Sequence, residues 1–152
     1  MTGMLHQSLL FLHLTGAFVW VGGMFFAYFC LRPAAAQLLQ PPERLPLWVA
    51  TFERFFQITA VAVAFILLSG FTMLAQAGFN SAPRGWHIMM LLGCVMAGIF
   101  AYVYVGLFPQ LRQHCATAAW PAAGAVLNAI RQWVAVNLGL AACVVAAAMS
   151  AR

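Results

Sequence analysis

The sequence predicts an all-α integral membrane protein, an antiparallel four-helix transmembrane bundle forming a single domain over residues 1–152. Three observations carry this expectation. Hydrophobic residues make up 65% of the chain and charged residues only 6%, where a soluble domain holds about 25% charged residues. The apolar residues gather in four runs, each close to the roughly 20 residues a membrane helix needs. Runs of that length make helices, since a barrel strand needs only about 10 residues.

The first span is expected at about residues 5–31. It has no positive region before it and is too long for a signal peptide, so it is expected to remain as an anchor. Arg32-Pro33 should end it, because proline lacks the N–H that continues a helix. The loop AAAQLLQPPERLPLW holds three prolines and cannot be one regular helix, and Trp48 is expected at the membrane interface. The second span is expected at about 52–77, opened by a Glu53–Arg54 ion pair and closed by the turn residues GFNSAPRG. That short connection makes spans two and three antiparallel neighbours. The third is expected at about 86–108, stopping near Pro109. For the fourth, an interfacial lead-in from Pro121 and a true span over about 131–150 keep Arg131 out of the lipid.

The chain has no lysine, and five of its seven arginines (Arg32, Arg44, Arg54, Arg112 and Arg131) fall at one end of the expected bundle. Arg84 and Arg152 fall at the other. The bias is a topology signal rather than a nucleic-acid patch. It places both termini on the outer side of a bacterial inner membrane, facing the periplasm. Cys30, Cys94, Cys115 and Cys143 show no C-x-x-C spacing and are expected to be reduced. There is no Ser-His-Asp set, phosphate loop or carboxylate pair, which argues against ordinary hydrolysis and phosphoryl transfer.

The first span carries the principal candidate site. His13, Gly16, Trp20, Gly23 and Ala27 follow a 3, 4, 3, 4 spacing and share one helix face. An ionisable residue inside a membrane span is costly and is a functional candidate by default. His13 lies about 12 Å below the helix start, at the expected depth of Ser69 to Met73, Met90 to Cys94 and Cys143. Two chemistries fit. Haem b could lie between helices, with His13 as one axial ligand, Gly16, Ala17 and Gly23 beside the plate, Met90 or His87 opposite, and Arg84 on the propionates. Alternatively, Cu(I) could be held at the outer mouth by Met1, Met4, His6, His87, Met89 and Met90. The bland alternative is that His13 bonds a neighbouring helix and its small neighbours only permit close packing. Asn137 is expected to face the bundle, and His114 to be solvated.

The segments HLTGAFVWVGGMFF, LRPA, ERFFQITAVAVAFILLSGFTML, GWHIMMLLGCVMAGIFAYV and RQWVAVNLGLA resemble CopD-type membrane proteins, small helical bundles linked by name to copper resistance and uptake. The same layout is similar to HemJ-type protoporphyrinogen oxidases. That resemblance implies a b-type haem, a porphyrin substrate and electrons passed to quinone, with the first-span histidine matching His13 and its Trp-x-x-Gly matching Trp20 and Gly23. Where the HemJ type has a lysine after the third-span tryptophan, this chain has Met89 or Met90. Three readings therefore stand: a haem-dependent membrane oxidoreductase, a copper-handling membrane protein, and a cofactor-free subunit of a homo-oligomer or larger membrane complex. The expected surroundings are the lipid bilayer, with no nucleic-acid partner.

Overall fold

The computed structural model describes residues 2–150. It is all-helical, and four rods within it are each long and apolar enough to cross a membrane: Gly3–Leu38, Pro41–Ala77, Arg84–Ala116 and Trp120–Met149. The rods divide into α1 (Thr2–Phe26), α2 (Arg32–Leu38), α3 (Pro41–Ala77), α4 (Arg84–Ala101), α5 (Phe108–Ala116) and α6 (Trp120–Ser150). Large apolar side chains face outward along them. Phe18 is 78% exposed, Phe11 69% and Leu91 66%, as a lipid-facing surface requires and a water-facing one does not.

Two expected helix ends are corrected. Neither Pro33 nor Pro109 stops its rod. Each follows a π-helical turn, Ala27–Leu31 before Pro33 and Tyr102–Leu107 before Pro109. The wide turn shifts the hydrogen-bond ladder, and each proline then falls in the first turn of the next α-helical stretch. There its missing N–H is least needed. The real break comes at Leu39–Gln40, both in extended backbone, where Pro41 disfavours the helical region for Gln40. Accordingly α3 starts well before Phe52, and Pro46 lies inside it. Glu53 and Arg54 are both exposed, and among the described residues they form no ion pair, since adjacent helical residues diverge. Trp48 is buried against Phe52. The stretch from Trp120 is one continuous helix through Ser150.

Contacts fix the register. Gly16 meets Ala62 and Ile66 while Gly23 meets Phe55, so α1 and α3 run antiparallel. Phe56 meets Phe100 and Phe52 meets Phe108, so α3 and the α4–α5 rod do too. From α6, Asn137 reaches Met96 of α4, and Trp133 meets Tyr102 of the π-helical turn that follows α4. The core is an aromatic spine. Phe56 packs against Phe52 at 5.0 Å between ring centroids, Phe100 at 5.9 Å, Tyr104 at 5.6 Å and Phe108 at 5.3 Å. Most of these pairs are edge-on or tilted, the arrangements that ring quadrupoles favour.

Candidate functional site

His13 projects from α1 onto α3 and is half-buried. Its Nδ1 lies 3.0 Å from the Ser69 hydroxyl oxygen. That hydroxyl donates its one proton to the Phe65 carbonyl at 2.5 Å, so towards the ring it can only accept. The tautomer this arrangement favours puts the imidazole proton on Nδ1 and leaves Nε2 its lone pair. A partner that fixes the tautomer through the opposite ring nitrogen is a common support for metal-ligating histidines.

Gly70 lets a third helix reach the same place. A Cβ there would stand 3.2 Å from His13 Cε1 and 3.6 Å from the Met90 methyl carbon. The imidazole of α1 and the thioether arm of α4 thus converge on one point of α3 that a larger residue would occupy. His13 and Met90 were candidates from sequence, and Ser69 was placed at their depth. Gly70 was missed, and the Ser-Gly pair at that depth was its only signal.

The small-residue stripe is filled by protein. A Cβ on Gly16 would stand 2.9 Å from Ile66 Cγ1, and one on Gly23 would stand 2.2 Å from Phe55 Cε2. Trp20 is buried, edge-on to Phe100 at 6.0 Å. Beside it a void of about 20 Å³ reaches Asn137, room for about one water molecule. The Asn137 amide donates to the Met96 carbonyl at 3.3 Å, while its buried Oδ1 has no partner among the described residues. A porphyrin plate does not fit against this face, because Ile66 and Phe55 already stand where it would lie. The haem arrangement drawn from the stripe is therefore not the one the residues support.

The outer-mouth candidates are spread along exposed surface. His6 and His87 are exposed, as is Arg84 at the start of α4, and Met89 is half-buried. His87 Nδ1 donates to the Pro83 carbonyl at 3.3 Å. Met4 is exposed, and Met1 lies outside the described residues. Among the described residues no three His, Cys, Asp or Glu side chains form a metal-binding group. All four cysteines are free. A cavity of about 480 Å³ lies at the arginine-bearing end, between α2, α3 and α6.

Residues 49–151 match the family model CopD, described as copper resistance protein D. Searches of curated proteins and of solved structures give no match. The matched stretch holds Ser69, Gly70, Met90 and Asn137, and it leaves out α1 with His13.

Proposed function

The chain belongs to the CopD, or copper resistance protein D, family, and from that premise we propose that it handles copper in the bacterial inner membrane by holding Cu(I) between His13 and Met90. The observation that carries this reading is the convergence of the two side chains on Gly70. Imidazole nitrogen and thioether sulfur are soft enough for Cu(I), which needs few ligands. Ser69 fixes the tautomer that leaves Nε2 free. The surrounding apolar helices exclude hard ions that would demand water or carboxylate. His6, His87 and Met89 flank the same end of α1 and α4 and supply weaker ligands along the approach. Both termini face the periplasm in this reading, so the copper enters from that side.

A Cu(I) titration of the detergent-purified protein against a chromogenic Cu(I) chelator tests the proposal. One tightly held Cu(I) per chain is expected. His13→Ala or Met90→Leu should weaken it at least tenfold, the typical scale of losing a ligand's support or more, and His114→Ala should leave it unchanged. Wild-type affinity in both ligand variants overturns the assignment. A b-type Soret band that disappears in His13→Ala would instead favour the haem oxidoreductase with a quinone or porphyrin partner.

A further inference from the structure

The cavity at the arginine-bearing end is independent of the copper reading. Arg32 follows the π turn on the first rod, Arg44 lies near the start of α3, and Arg131 lies in the first half of α6. All three line a partly open cavity of about 480 Å³, within the range of small-molecule sites. All three are half-buried.

Their charges lack counter-ions. The chain holds only two acidic residues, Glu43 and Glu53; both are exposed and neither lines the cavity. Arg32 lies over the Tyr28 ring at 5.2 Å, a cation–π contact that leaves its N–H groups free to bond elsewhere. Arg131 donates to Asn128 Oδ1. Arg44 has no side-chain partner among the described residues. Like charges placed together out of bulk water repel unless an anion joins them. The guanidinium fork matches phosphate oxygens two at a time.

The remaining walls are apolar and aromatic, with Trp48, Phe52 and Trp120 among them. A soluble anion would use the arginines and leave these walls without a purpose. We propose that the cavity seats the headgroup of an anionic phospholipid, its phosphate among Arg32, Arg44 and Arg131 and its glycerol and first acyl carbons along the aromatic wall. Basic pockets between transmembrane helices at one membrane face have this chemistry. Arg32 directly follows the π turn Ala27–Leu31, and π turns often mark functional positions.

Native mass spectrometry of the full chain tests this. The protein is exchanged into detergent containing either phosphatidylglycerol or phosphatidylcholine, and the lipid retained per chain is measured. Phosphatidylglycerol should be retained about tenfold more strongly. Arg44→Gln and Arg131→Gln should each weaken retention by about tenfold, the scale of one charged hydrogen bond. Arg112→Gln, exposed and outside the cavity, should behave as wild type, and circular dichroism checks that every variant keeps its helices. Equal retention of the two lipids overturns the proposal, as does an equal loss in Arg112→Gln. Displacement of the lipid by inorganic phosphate alone would make this a site for soluble phosphate and would also overturn it.

Discussion

Two neighbouring glycines of α1 should respond in opposite directions to the same substitution. A Cβ on Gly23 would stand 2.2 Å from Phe55 Cε2 and 2.8 Å from Cζ, against an ordinary carbon contact of about 3.5–4.0 Å. The ring must swing away from α1, and Phe56, 6.0 Å away between centroids, limits where it can go. Overpacking of this kind costs about 1–3 kcal/mol, and alanine regains about 0.5–1 kcal/mol of helix preference over glycine. Gly23→Ala should therefore lose about 1 kcal/mol. Gly22 has nothing within 4 Å of its would-be Cβ, so Gly22→Ala keeps only the gain of about 0.5–1 kcal/mol. The two variants should differ by about 2 kcal/mol, or about 4 °C or more in melting temperature for a chain of this size. Thermal unfolding in one detergent, followed by helical circular dichroism, measures the difference. If Gly23→Ala melts at or above Gly22→Ala, the stripe is an open slot rather than a packed seam, and the argument against a haem plate there collapses.

The aromatic spine and the polar support of His13 give further expectations. Phe56→Ala should cost about 3–5 kcal/mol, because the ring joins Phe52, Phe100, Tyr104 and Phe108; chemical denaturation in detergent would show it, and a loss under about 1 kcal/mol would contradict the packing described. Ser69→Ala should weaken Cu(I) binding about 10-fold or more while leaving its stoichiometry at one, since it removes tautomer control rather than a ligand; unchanged affinity would remove Ser69 from the site. A reporter that works only in the cytoplasm, joined at the C-terminus, should stay silent if the arginine bias sets the orientation, and strong activity would reverse the bundle.

The four apolar runs were legible because bilayer thickness and hydropathy determine them without reference to neighbours. The shared depth of His13, Ser69 and Met90 also followed from helix rise and topology alone. Gly16 and Gly23 show why the rest was less legible: glycine announces close approach but not what approaches, and here Ile66 and Phe55 arrive. Pro33 and Pro109 read as stops because a π turn that accommodates proline leaves no mark in composition. Arg32, Arg44 and Arg131 read as a topology signal because their meeting depends on how α2, α3 and α6 pack. Gly70 lay at the expected depth, but its role could not be read there, since it comes from two side chains on other helices.

X-ray absorption at the copper edge of the Cu(I)-loaded protein tests the central claim most directly. The account predicts a mixed first shell with one nitrogen and one sulfur scatterer, the sulfur lost in Met90→Leu and the imidazole signature lost in His13→Ala. A shell of nitrogen alone, a sulfur signal that survives Met90→Leu, or a protein that holds no Cu(I) would contradict it.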